Sequence, residues 1–125
     1  MQRSLLLPFF LFLMMCAVGV AEEDKAPEEL MKKLLTAIEK KNYEVFVESG
    51  DVGFKGALTQ ETFDDLHASF ASKLSPGYKA ELINSRKEGH VGLYVWSIQL
   101  KDPREEDLTL RLVLHENSVG GFWLK

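Results

Sequence analysis

The spacing of apolar residues changes once along this chain, at Ser75-Pro76-Gly77, and that change limits the fold more than any other feature. Before it, Phe63, Leu66, Phe70 and Leu74 recur at three and four residues, the period of one face of a helix. After it, Leu108, Leu110, Leu112 and Leu114 recur at two, the period of one face of a strand. Helices followed by short-looped strands predict an α+β domain, with N-terminal helices packed on a curled antiparallel sheet of about four strands. A curled sheet capped by amphipathic helices is expected to leave an apolar cleft at its wide end.

The individual elements follow from local signals. Pro27-Glu28-Glu29-Leu30 opens a helix, because proline fits the first turn and the glutamates face the positive end of the dipole. Leu30, Leu34 and Ile38, flanked by Met31 and Leu35, give it an apolar stripe, and Glu28 and Glu29 precede Lys32 and Lys33 by four residues, the favourable order for helical pairs. Asn42 caps a short second helix in which Tyr43, Phe46 and Val47 share a side, ended by Gly50. Residues 52–58 carry too much glycine for a helix interior and are expected as a loop or short irregular strand. Thr59 then caps the helix that bears Phe63.

Strands are expected where the period is two. Tyr78, Ala80 and Leu82 alternate with Lys79 and Glu81, giving a strand with one wet face. After a turn at Gly89, the residues Gly92, Tyr94, Trp96, Ile98 and Leu100 share one face, and Leu93, Val95, Ser97 and Gln99 the other. Asp102-Pro103 ends that strand, Leu108 to His115 is the next, and Glu116-Asn117-Ser118 turns the chain into a last strand from Val119 to Lys125. Phe122, Trp123 and Leu124 crowd the terminus, where chains usually fray. They are tolerable there only if hydrogen bonds to the Leu108–His115 strand hold the segment and helices cover one of its faces. Gly120 and Gly121 mark a bulge or a close approach of backbone.

The first 21 residues read as a signal peptide and residues 22–125 as a single domain. Arg3, an apolar run from Leu5 to Val18, and Gly19-Val20-Ala21 place the cut after Ala21. The run falls short of the ~20 apolar residues of a spanning helix and no charged stop-transfer sequence follows, which argues against a membrane anchor. Leu13-Met14-Met15-Cys16 outlines a lipobox, with Met15 where a small residue is expected, so a lipoprotein anchored through Cys16 is the alternative to a secreted or periplasmic protein. Cys16 is the only cysteine, so the cleaved chain has no disulfide, thiolate nucleophile or cysteine-built zinc site. The 19 acidic and 15 basic residues leave a formal net charge of −4, and loss of Arg3 makes it more negative, which gives no cationic footprint for nucleic acid.

A short "KKNYEVF" helix, "ALTQETFDDL", "SPGY" and strands ending in "VGGFWL" together resemble the nuclear transport factor 2-like superfamily over nearly the whole of residues 22–125. More narrowly, the chain is similar to small secreted branches of unknown function that join an "LT-x-E-x-F" helix to a final "Gly-Phe" strand. The resemblance implies the cone-shaped, cystatin-like α+β fold. It also brings to mind the superfamily's ketosteroid isomerase and SnoaL-like cyclases, whose pockets carry an acidic general base, beside members that only bind or dimerise.

The residues themselves favour the second group. Proton abstraction needs a carboxylate in the cleft, and neither face of the two central strands offers Asp or Glu; Glu81 lies on a wet face and the acids from Asp102 to Asp107 fall in a turn. Asp64 and Asp65, near a helix start, serve the dipole. His67, on the flank of the Phe63 stripe, is the remaining candidate base or ligand-contacting residue, against the plainer reading of a boundary histidine satisfied by a carbonyl or water. Tyr94 and Trp96 either line an apolar ligand pocket or form the core. His90 and His115 give no metal-ligand spacing, and phosphate loops, nucleophile elbows, glycosylation sequons and repeats are absent, so neither metal nor cofactor is expected. Arg111, with Thr109, Ser97 and Gln99, makes the opposite sheet face mixed, either solvated or pairing two copies back to back.

The expectation is an exported, non-catalytic domain that binds an apolar small molecule or a protein partner, with a homodimer through the sheet as one form and no contact with nucleic acid or, once cleaved, with membrane. The alternatives are an enzyme of the isomerase type using His67 as base, and a pure interaction module.

Overall fold

The computed structural model describes residues 26–125, so the signal-segment and Cys16 readings lie outside the described residues. The chain divides into two units, residues 1–30 and 31–125. Of the first, residues 26–30 are helical, and where that helix begins lies outside the described residues. The second unit opens with helical residues 31–40 (α1), followed by α2 (Tyr43–Glu48), α3 (Val52–Ala57), α4 (Gln60–Leu74), β1 (Tyr78–Glu88), β2 (Val91–Leu100), β3 (Leu108–His115) and β4 (Ser118–Leu124). The strands form one curled, unclosed antiparallel sheet in the order β1-β2-β3-β4. This is the α+β arrangement that the change of period predicts.

Capping carries the helix starts. Asn42 accepts from the Val45 amide at 3.2 Å and Thr59 from the Thr62 amide at 3.2 Å, as expected of both residues. The stretch expected as a loop is instead α3. Asp51 caps it through the Phe54 amide at 2.8 Å, and Phe54 buries its ring against Phe46, so one cap and one buried aromatic outweigh the helix cost of Gly53 and Gly56. Lys33 pairs with Glu48 of α2 and donates to Ser49 Oγ at 3.4 Å.

The core lies between the helices and one face of the sheet. On that face Leu108, Leu110, Leu112 and Leu114 are buried, with Trp96 and Ile98 from β2 and Val119 and Leu124 from β4. From the helices come Met31, Leu34, Leu35 and Ile38 of α1, Phe46 of α2, Phe54 of α3, and Phe63 and Leu74 of α4. Phe46, fully buried, touches Phe63 at a ring separation of 5.1 Å, Phe122 edge-on at 5.2 Å and Phe54 at 6.0 Å. It therefore ties three helices to the last strand.

That last strand is fastened on both edges. Lys125 and Thr109 exchange backbone hydrogen bonds of 2.8 and 3.1 Å on the inner edge. On the outer edge the Val119 amide donates to the Ser49 carbonyl and the Asp51 amide to the Val119 carbonyl, both at 2.8 Å. The bulge expected at the glycines is present: Val113 faces Gly121 and Leu114 faces Val119, so Gly120 is the extra residue. The chain end is thus a sheet strand, with Phe122 turned to the helices.

β1 runs further than Leu82, where alternation of burial stops. Every residue from Glu81 to Glu88 is exposed, Leu82 at 45% and Ile83 at 56%, so both faces of the strand are wet beyond its start. Pairing alone holds it, down to the two-residue turn Gly89-His90 between Glu88 and Val91. A strand that buries nothing leaves no period in its sequence.

If Phe46 is the joint between helices and sheet, Phe46→Ala should cost about 3–5 kcal/mol, the usual range for a buried phenylalanine. Trp123→Ala, on the opposite face, should stay within about 1 kcal/mol of wild type. Urea unfolding of both variants measures the contrast.

Candidate functional site

Tyr94 and Trp96 are two residues apart on β2 and share the helix-side face, where their rings stack at 6.0 Å with planes 24° apart. Trp96 is only 3% exposed, between Leu82 of β1 and Leu110 of β3, and belongs to the core. Tyr94 is half-buried. Its ring lies along the strand over Gly92, where an added Cβ would stand 2.9 Å from the Tyr94 ring. A cleft of about 230 Å³ opens beside it, lined by Gly92, Tyr94 and Leu114 with Lys87, His90 and Glu116 from the two hairpin ends. Those ends are tied together, since the Glu116 amide donates to the His90 carbonyl at 2.7 Å.

His67 lies elsewhere in the hydrogen-bond network. Its Nδ1 is 2.7 Å from the Ile38 carbonyl oxygen. A carbonyl only accepts, so Nδ1 carries a proton and donates. Ile38 is in the last turn of α1, where carbonyls lack intrahelical partners, and its carbonyl also accepts from the Lys41 amide at 3.2 Å, with Lys41 in the left-handed region at φ 56°. His67 therefore completes a helix end. No carboxylate orients it among the described residues.

Sequence reading missed a second constellation, Asp51 with His115. These residues are 64 positions apart, yet Asp51 Oδ2 accepts from His115 Nδ1 at 2.9 Å while Asp51 Oδ1 caps α3. The Phe54 amide first, and the His115 hydrogen bond second, hold the Asp51 carboxyl below its ordinary value. An acid orienting a histidine supplies two of the three members of a hydrolytic triad. Among the described residues His115 has no hydroxyl within hydrogen-bond distance, so the pair works as a latch between the α2–α3 junction and the β3–β4 hairpin.

The opposite sheet face, which no described helix covers, also carries apolar side chains. Leu93 of β2 sits between Arg86 of β1 and Val113 of β3, and Val113 faces Gly121 of β4. The Trp123 indole folds over Gly121, where an added Cβ would stand 2.6 Å from the ring, and the residue remains 54% exposed. Val91 and Val95 flank Leu93, and a shallow cleft of about 320 Å³ is lined by Arg86, Glu88, Val91, Leu93 and Val113. The face is mixed, as expected from Arg111 and Thr109: Leu93 and Val113 adjoin across β2 and β3, and Arg111 stands between Val95 and Trp123. Antiparallel register sets Leu93 beside Val113, an adjacency that the period of either strand alone does not carry.

Among the described residues no polar or charged side chain is buried, no group of three acidic, histidine or cysteine side chains is placed to hold a metal, and no helix is long and apolar enough to cross a membrane. No known family model and no characterised protein matches the chain in sequence. A solved structure similar to it is that of an uncharacterised cystatin-fold protein from Novosphingobium aromaticivorans, at 16% identity over 78% of this chain and 95% of that one, with a TM-score of 0.42.

The Asp51 latch has a definite pH sign. A carboxyl whose folded pKa is depressed contributes stability above its unfolded pKa, and that contribution is lost as pH falls through the folded value. The melting temperature of Asp51→Ala should lie below wild type at pH 7, and the gap should close below about pH 4. A gap unchanged between pH 7 and pH 2.5 would mean that the carboxylate does not carry the latch.

Proposed function

We propose that the chain is an exported, non-catalytic binding domain of the nuclear transport factor 2-like type, and that it meets a protein partner through the uncovered sheet face. The observation that carries this reading is the apolar cluster on that face, where Leu93 adjoins Val113 and Trp123 is half-exposed, with Arg86, Glu88 and Arg111 beside them. A rimmed apolar patch is the ordinary mark of a protein contact surface, and exposed indoles are favoured anchors. Catalysis has less support. His67 spends its proton on a helix end, and among the described residues no carboxylate is buried for its pKa to be tuned.

Binding of an apolar small molecule beside Tyr94 is the second reading, and the stacked Tyr94–Trp96 pair favours it. The cleft there, about 230 Å³, falls below the roughly 300–1,000 Å³ of most ligand sites, so the sheet face ranks first.

A photoactivatable residue placed at Leu93 or Val113 tests the reading in the producing cell. Both positions should yield the same adduct, and the same residue at Glu61, exposed on α4, should not. An adduct of twice the chain's mass would identify the partner as a second copy. Labelling at Leu93 no greater than at Glu61 would overturn the proposal. Export has its own check: N-terminal sequencing should return Glu22, whereas a blocked terminus with acylated Cys16 would place the protein on a membrane.

A further inference from the structure

We propose that β1 is a self-pairing edge, on which a second copy of this chain docks antiparallel and extends the sheet across a two-fold axis at Asn84. Nothing in the preceding reading is needed for this, because the evidence lies on the edge strand rather than on the sheet face. β1 is 11 residues long, ends the sheet, and among the described residues has no partner on its outer edge. Unpaired backbone groups along such an edge are a template for another strand.

The charges on β1 specify which strand. Ile83 is a bulge, the extra residue between Leu82, which faces Trp96, and Asn84, which faces Val95. Because of that one insertion, Lys79, Glu81, Asn84, Arg86 and Glu88 all project from the same sheet face, opposite Gln99, Ser97, Val95, Leu93 and Val91 in turn. Without the bulge the two halves of the series would point to opposite faces. Read along the chain the signs run plus, minus, neutral, plus, minus. Read backwards, every sign is reversed.

A strand with that property is complementary to itself in antiparallel register. With Asn84 opposite the partner's Asn84, Lys79 lies opposite the partner's Glu88 and Glu81 opposite the partner's Arg86, and the two-fold axis repeats both pairs. Slipping the register by one cross-strand pair in either sense sets like charges together, Glu81 against the partner's Glu88 or Lys79 against the partner's Arg86. Directly opposed like charges are destabilising, so one register is selected. Edge charges commonly deter pairing when they share a sign; this ordered alternation deters only the wrong registers. Arg86 and Glu88 already lie 3.1 Å apart, and both are largely exposed and open to a further partner.

Sedimentation equilibrium of the protein as its host processes it, with two charge reversals, tests this. Wild type should self-associate, more weakly as salt rises. Glu81→Arg alone opposes two arginines twice and Arg86→Glu alone opposes two glutamates twice, so each should raise the dissociation constant about tenfold or more. Mixed in equal amounts, the two variants should form a heterodimer as tight as wild type, since every opposed pair is then of unlike sign. Lys79→Glu with Glu88→Lys repeats the logic if either variant melts early. Thr109→Lys, exposed on the same face two strands inside the edge, should leave self-association unchanged. The proposal is overturned if wild type stays monomeric at millimolar concentration, if a single reversal dimerises like wild type, or if the mixture stays monomeric. It is also overturned if Thr109→Lys abolishes association, which would move the contact to the sheet face.

Discussion

The burial of Phe46 is the interaction on which the rest of the structure depends. Its ring stands between Phe63 of α4, Phe54 of α3 and Phe122 of β4, so the same side chain fixes the helices to one another and to the sheet. Tyr43, three residues earlier, extends the contact by packing edge-on to Phe63 at 5.6 Å and donating its hydroxyl to the Leu58 carbonyl at 2.7 Å. A chain with no disulfide among its described residues has to hold its layers by packing alone. Large rings in mutual edge-on contact do this with few residues.

That packing determines what the sheet can offer. One face is filled by leucines, Trp96 and Ile98, and packs against the helices with no polar or charged residue buried among the described ones. The polar pairs lie at the margins. His67 closes the end of α1, and Asp51 with His115 fastens the α2–α3 junction to a hairpin. The other face, which no described helix covers, sets Leu93 beside Val113, and β1 is exposed on both sides from Glu81 to Glu88.

Most of the architecture was legible in the sequence because burial and period coincide in it. The leucines of β3 alternate in sequence and in burial without exception, and Asn42, Thr59 and the Ser75-Pro76-Gly77 stop act where their chemistry says they should. The last strand was legible too, since apolar residues at a terminus have to be bonded to something. What was not legible follows from two physical causes. α3 was hidden because a cap and one buried ring outweigh glycine propensity, and only tertiary contact reveals that Phe54 is buried. The far half of β1 was hidden because it is wet on both sides. Of the candidate site residues, Tyr94 and Trp96 lie together on one strand as their spacing implies, while the Asp51–His115 latch spans 64 residues and leaves no local signal.

The sheet places its two tryptophans in opposite surroundings: Trp96 is sealed among leucines at 3% exposure, and Trp123 lies on the far side at 54%. An indole in an apolar interior fluoresces at shorter wavelength than one in water, so the native emission spectrum is a sum of two resolvable bands. The blue component follows the integrity of the interior and the red component follows whatever approaches the outer surface. The molecule thus carries its own pair of optical reporters, one for unfolding and one for contact, with no label attached.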